Sequence, residues 1–299
     1  MDVAEPSPRI AERIATVIGS TPTRWRRITG RGYTPAERWV FTLPNGSSAF
    51  AKVGTTEDTA NWLRDERRVY ARVQAEFLPR LLEWDDDPAS PILLLEDLSG
   101  GEWPPPWSAE RVGRVRRMLE QVRRADPPEV LPRLEEWRSR LASWTDVRDD
   151  PEGFLALGLS SREWLDRALP TLIAADRSAV LQGDQLVHLD VRSDNICFLG
   201  DRTVMVDWNL ACVGNAKIDP VGWAPSLHHE GGPPPEEVAA GHPELTALVT
   251  GYFAHRARLA PIPTAPRVRR VQLDQLRVAL PWAARALGLP PPDGDGLIH

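Results

Sequence analysis

Three side chains with oxygen donors, Asp190, Asn195 and Asp207, lie around one short β-prone stretch. Residues 196–199 and 203–206 read as two apolar arms of a hairpin closed by Gly200-Asp201-Arg202. In that register Ile196 faces Val206, and Asn195 stands opposite Asp207 at the open end. Directly opposed residues have Cβ atoms roughly 4.5–5.5 Å apart. An amide oxygen and a carboxylate at such a spacing can share a hard cation. Mg²⁺ takes few protein ligands and completes its shell with water and phosphate oxygens. Asp190, five residues before Asn195 in a loop, is the candidate general base.

A second pair lies far away in the chain. The only two lysines are Lys52 and Lys217, every other basic residue being arginine. Lys52 ends the β-prone run Phe50-Ala51-Lys52-Val53. On a helix predicted over 57–76, Trp62, Val69, Tyr70, Val73 and Phe77 form an apolar stripe. Glu66 lies on that stripe while Asp65 and Arg67 do not. A carboxylate on a core-facing stripe is costly unless paired, and Lys52 is the partner.

The elements that must position these groups follow from periodicity and turn signals. A short amphipathic helix at 10–18 precedes strands at 25–28, 38–43, 48–53, 80–84 and 92–96. Asn45-Gly46 closes the hairpin between the second and third. This gives an antiparallel sheet with one helix inserted after its third strand. A Gly- and Pro-rich linker covers 99–106. Helices are predicted at 108–125, 131–144, 161–176, 243–259 and 266–287, with Ser108 and Ser161 as N-caps. The β-rich stretch 186–207 interrupts them, and 231–235 is a loop.

The string His188-Leu189-Asp190-Val191-Arg192-Ser193-Asp194-Asn195 fits the H-x-D-x-x-x-x-N catalytic loop of the kinase superfamily. Asp207-Trp208 stands where that superfamily places a metal-binding Asp. With Gly214-Asn215-Ala216-Lys217-Ile218-Asp219-Pro220 following, the chain resembles the aminoglycoside phosphotransferase and choline kinase-like family of small-molecule kinases. The resemblance implies an α+β, two-lobed protein kinase-like fold. Its antiparallel sheet lobe would be 1–98, and a larger helical lobe, 99–299, would carry the catalytic loop and acceptor site.

The resemblance also implies ATP and Mg²⁺ as cofactors and a hydroxyl on a small polar molecule as acceptor, such as an aminoglycoside, amino sugar or amino alcohol. Asp190 would take the hydroxyl proton, Arg192 would contact the transferred phosphate, and Asn195 and Asp207 would hold the metal. Lys52, fixed by Glu66, would meet the phosphates beneath a loop at Gly30 and Gly32. Glu96 and Leu98 would offer a hinge backbone to the nucleobase. His188 would buttress the catalytic loop and Asp219 would anchor it. Leu189 and Asn209 depart from the family, which usually has Gly and an acidic residue there. The alternative they suggest is a nucleotide-binding module of the pseudokinase type with weak transfer.

Composition narrows the remaining classes. The 299 residues carry 36 Lys+Arg against 42 Asp+Glu, a net charge of -6, whereas a phosphate-reading surface normally shows net positive charge. Nucleic acid is therefore not an expected partner. The longest apolar runs fall far short of the ~20 residues of a membrane helix, and two cysteines are too few for a disulfide framework. A cytoplasmic protein is expected. His228, His229 and Glu230 read as solvent-facing residues of a Pro/Gly loop rather than as metal ligands, and the twelve tryptophans read as packing. Asp146, Asp149, Asp150, Glu152, Glu230, Glu236 and Glu237 are available to draw a cationic acceptor.

Overall fold

The computed structural model describes residues 5–29 and 35–297. The chain divides into two compact units. The described residues as far as Pro104, with Ala125–Leu131 and Asp194–Ala211, form one. Pro105–Arg124, Pro132–Ser193 and the chain from Cys212 onward form the other. The division is thus not a single cut after residue 98, because the chain re-enters the first unit for the hairpin that holds Asn195 and Asp207.

In the first unit five antiparallel strands run in the order β1-β2-β3-β5-β4: β1 Arg24–Arg27, β2 Glu37–Thr42, β3 Ser48–Val53, β4 Leu81–Asp85 and β5 Ile92–Glu96. The β2–β3 turn uses Gly46 at φ 83°, and the Asn45 side chain accepts from the Ser47 amide. Strand parity then sorts the faces. Ala49, Ala51 and Val53 join Trp39, Phe41, Ile92 and Leu94 in a core closed by Ile14 of helix α1, Pro8–Ile18. Phe50 and Lys52 alternate with them and face the other side of the sheet.

Helix α2, Glu57–Tyr70, follows β3 as expected. Thr56 and Thr59 cap its start reciprocally, Glu57 and Asp58 sit in its first turn, and Arg67 and Arg68 in its last. Its buried stripe is Thr59, Ala60, Leu63, Glu66, Val69 and Tyr70. Leu63 takes the inward place that the sequence assigned to Trp62, which is half-buried. The helix also ends six residues before the expected limit. Beyond it, the Phe77 carbonyl accepts from the Met205 amide (2.8 Å), a long-range bond that competes with helix continuation. Val73 and Phe77 are still buried, outside the helix.

The hairpin pairs β7, Ile196–Leu199, with β8, Arg202–Met205, through a two-residue loop, Gly200-Asp201. Ile196 faces Met205, so the expected three-residue loop is wrong by one residue of register. Gly200 at φ 55° allows the tighter turn. It also places Arg202 within the strand, where the guanidinium binds Glu96 (2.8 Å) and the Leu78 carbonyl (2.9 Å). Gly101 lets this hairpin approach the segment before it, since a Cβ there would lie 2.3 Å from Cys197 Sγ.

The second unit is mainly helical: α3 Ala109–Arg124, α4 Arg162–Ser178, α5 Ile218–His229, α6 Pro243–Ala257 and α7 Val268–Ala286. Ser108 and Ser161 accept from Arg111 and Trp164 amides, as caps should. One expected helix, 131–144, is instead a 3₁₀ turn Leu134–Trp137 and a short helix Arg138–Leu141. A new helix starts at Trp144, whose amide donates to buried Asp176 (3.1 Å).

Strand β6, Gln185–Val187, pairs with an unanticipated β9, Cys212–Gly214. Helix α5 was also missed. It contains Pro220 and Pro225 and buries Ile218, Val221, Trp223, Ala224 and Leu227, so no amphipathic period marks it. His228 and His229 therefore end a helix rather than sit in a loop. Among the described residues no helix is long and apolar enough to cross a membrane.

Candidate active site

Within the first unit the face of the sheet opposite α1 borders a cavity of about 720 Å³. Its walls include Arg38, Val40, Phe50 and Lys52 from β2 and β3, Glu66 from α2, and Asn195, Val206 and Asp207 from the hairpin. Lys52 Nζ donates to Glu66 Oε1 and to Asp207 Oδ1, the second at 2.7 Å. Lys52 is 7 % and Glu66 1 % exposed, so this ammonium is held between two carboxylates in a place largely closed to water.

The two acids differ in strength. Burial pushes Glu66 up to about 7, against the pull of Lys52 and with the charge of Asp207 adding to the rise. Burial would also raise Asp207, but Lys52 and then Arg38 more than offset it and hold this carboxyl well below the usual range. For Lys52, burial opposes the charge, while Asp207 and Glu66 together raise its pKa. Asp207 is therefore the anion available to a cation, and Glu66 the residue that orients the amine.

Local backbone geometry aims Asp207. The Asn195 carbonyl accepts from the Val206 amide (2.9 Å), so Asn195 stands opposite Val206 and Asp207 lies one position beyond the pairing. Asp207 turns out of the strand at φ 68°, a left-handed conformation that Asp tolerates better than most residues. The 3₁₀ turn Trp208–Leu210 follows, with Trp208 buried against Phe77 at 5.8 Å and bonded to the Met205 carbonyl. The one-residue register difference thus leaves Asn195 and Asp207 on the same cavity. An ionised carboxylate and a buried amide are the hard oxygen donors Mg²⁺ takes.

Glu96 and Leu98 border that cavity too. The Glu96 carboxylate is bound by Arg202 and the Arg80 amide, and burial competing with Arg202 leaves its pKa lowered. The Glu96 amide is engaged as well, donating to the Arg80 carbonyl (2.9 Å). Gly30 and Gly32 lie outside the described residues. No motif singles out Arg38 or Arg202; strand parity from Lys52 points to Arg38, its β2 partner.

In the second unit the loop after β6 carries Asp190 and Arg192, joined by an ion pair at 3.3 Å. Leu189 holds φ 65°. This conformation explains why a glycine suits the position, since an L side chain there costs roughly 1–2 kcal/mol. Asp219 secures the turn: one carboxylate oxygen accepts from the His188 amide (2.9 Å), the other from Leu189 (2.8 Å). Burial raises the Asp219 pKa, against His188. The fully buried His188 accepts from the Asp190 amide at Nδ1 (3.2 Å), which orients the loop. Ser193 Oγ donates to Glu230 (2.6 Å), which also accepts from Trp107 Nε1 (2.8 Å). Glu230 is thereby tied to the loop rather than to solvent.

Residues 16–262 match the model of the phosphotransferase enzyme family, APH. The chain belongs to this family. No curated protein sequence matches it. Solved structures share its kinase-like α+β fold. The aminoglycoside phosphotransferase APH(4)-Ia, a thermostable mutant in a ternary complex with ADP and hygromycin B, is 12% identical. That match covers 93% of this chain and 98% of the other, with TM-score 0.56. Spectinomycin phosphotransferase APH(9)-Ia, in complex with ADP and spectinomycin, is also 12% identical, covering 95% and 99%, with TM-score 0.57. A macrolide 2′-phosphotransferase type I is 16% identical over 96% and 95%, with TM-score 0.51. At such identities the likeness is one of fold.

Proposed function

We propose that this phosphotransferase-family chain uses ATP with Mg²⁺ to phosphorylate a hydroxyl group of a small polar molecule. The observation that carries the reading is the Lys52 ammonium held by Glu66 and Asp207 on the wall of a cavity large enough for a nucleotide. Lys52 binds the phosphates, and Glu66 keeps its amine in place. Asn195 and Asp207 hold the metal, which when bound neutralises phosphate charge. The backbone around Glu96 and Leu98 meets the nucleobase. Asp190, fixed by His188 and Asp219, orients the acceptor hydroxyl and takes its proton; Arg192 stands beside it to meet the transferred phosphate. Catalysis of this kind is mainly positioning and charge stabilisation.

Calorimetric titration of the full chain with ATP, with and without Mg²⁺, tests the nucleotide half of this reading. Tight binding that needs Mg²⁺ and weakens in Asp207→Ala is expected. ATP binding of equal strength in Asp207→Ala and in the absence of Mg²⁺ contradicts it.

A further inference from the structure

Five of the seven acidic residues that could draw a cationic acceptor are engaged in the fold. Asp150 pairs with Arg258, Asp149 with Arg148, Glu152 with Arg162, and Glu236 with Arg285. Glu230 is bound by Ser193 and Trp107. Positive charge shows the opposite pattern. Tyr252 and Arg256 stand one turn apart on α6, the guanidinium 5.6 Å from the tyrosine ring centre. Helix α7 packs along α6 and carries Arg269, which donates to the Ala260 carbonyl (3.2 Å) and to Gln272 (3.0 Å). The short helix Arg138–Leu141 also packs on α6 and brings Arg140.

Among the described residues no carboxylate forms an ion pair with Arg140, Arg256 or Arg269, and the buried Arg256 Nε has no hydrogen-bond partner. Asp190 pairs with Arg192, whereas Asp146, half exposed, faces only His255 at 3.8 Å, whose pKa burial lowers. Helix α6 is the element that Arg269 and Arg140 share, each through the packing of its own helix on it. Burial pushes the Tyr252 hydroxyl up, and it feels Arg256, Asp190, Arg269 and Arg140 in turn. Arg269 is pushed down by burial and then by the charge of Arg256. Half-buried guanidiniums that repel each other need an anion, and their planar donors match carboxylate and phosphate oxygens.

We propose that Tyr252, Arg256 and Arg269, with Arg140 at the margin, bind an oxyanion of the acceptor beside Asp190, so that the substrate is a hydroxylated small molecule bearing a carboxylate or a phosphate rather than a polyamine. The proposal rests on the phosphotransfer reading only for calling this molecule a substrate; the anion site stands on its own geometry.

The test measures binding of four sugar probes to the full chain by calorimetry: D-gluconate, D-glucose 6-phosphate, D-glucose and D-glucosamine. One or both anions should bind, and the stronger of the two tells carboxylate from phosphate. Arg256→Gln and Arg269→Gln should each weaken that binding by about tenfold or more, the loss of one charge-assisted contact. Arg256→Lys should restore part of it, and Mg-ATP affinity should be unchanged in all three. Circular dichroism melts establish that the variants are folded. Failure of both anions to bind at millimolar concentration overturns the proposal, as does tighter binding of glucosamine or anion affinity that is indifferent to the Gln variants. The phosphotransfer reading fails separately: no ATP-dependent transfer by wild type to the anion that binds, alongside the expected anion pattern, removes the kinase chemistry and leaves the anion site standing.

Discussion

At the residue scale, one ammonium separates two carboxylates that would otherwise repel each other in a dry pocket. Lys52→Ala leaves buried Glu66 without its ion-pair partner and partly exposed Asp207 with only the charge of Arg38, and removal of one partner from a buried pair costs about 3–5 kcal/mol. The loss depends on pH in a defined direction. Glu66 already has a folded pKa near 7, above its unfolded value, and without Lys52 it rises further. A carboxyl raised on folding is stabilising while protonated, and that contribution disappears as pH rises through the folded pKa. The variant should therefore melt closer to wild type at pH 6 than at pH 8, measured by differential scanning fluorimetry at both. Leu189 gives a second residue-level test. At φ 65° a β-branched side chain is worse than leucine, so Leu189→Val should be destabilising in urea unfolding, by about 0.5–3 kcal/mol. Leu189→Gly trades relief of strain against lost packing and chain entropy, and should stay within about 1 kcal/mol of wild type.

At the element scale, close approach of backbones decides how the hairpin is held. Gly101→Ala should destabilise the chain because its Cβ meets Cys197 Sγ. Adding Cys197→Ala should recover a large part of the loss, a coupling that thermal melts of the two singles and the double would show. The same elements show what could be read in advance. Strand parity, the Asn45-Gly46 turn and the Glu66 stripe revealed the five-stranded sheet and the Lys52–Glu66 pair, because their signals are local. The hairpin register was missed by one residue because it depends on Arg202 reaching Glu96 and Leu78, contacts remote in sequence. Helix α2 stopped early for a similar reason, Phe77 being taken by Met205. Helix α5 lacks a polar face, so no period could disclose it. Asp190 was legible from spacing, and Arg192 and Asp219 only from the family resemblance of 188–195 and 214–220; Tyr252, Arg256 and Arg269 were not, since their grouping arises only when α6 and α7 pack.

At the scale of the whole molecule, the net charge of -6 says little about the acceptor, because so many acidic side chains are internally paired. Stability should carry the mark of one acid that is not. Burial pushes Asp176 up to about 6, and one of its oxygens has no hydrogen-bond partner among the described residues. Between its ordinary value and 6 the folded chain binds more protons there than the unfolded chain, so stability falls as pH rises across that interval. Asp176→Asn should flatten this slope in chemical unfolding from pH 4 to 7. The central claim, that a family catalytic loop bearing Asp190 performs Mg-ATP-dependent transfer to a hydroxyl, is tested most directly by ADP release coupled to detection of the phosphorylated acceptor. Wild type should form the two products in equal amounts only with Mg²⁺ present, and Asp190→Ala should lose about 10²–10⁴ in rate while still binding nucleotide. Equal product formation by Asp190→Ala and wild type would contradict the account.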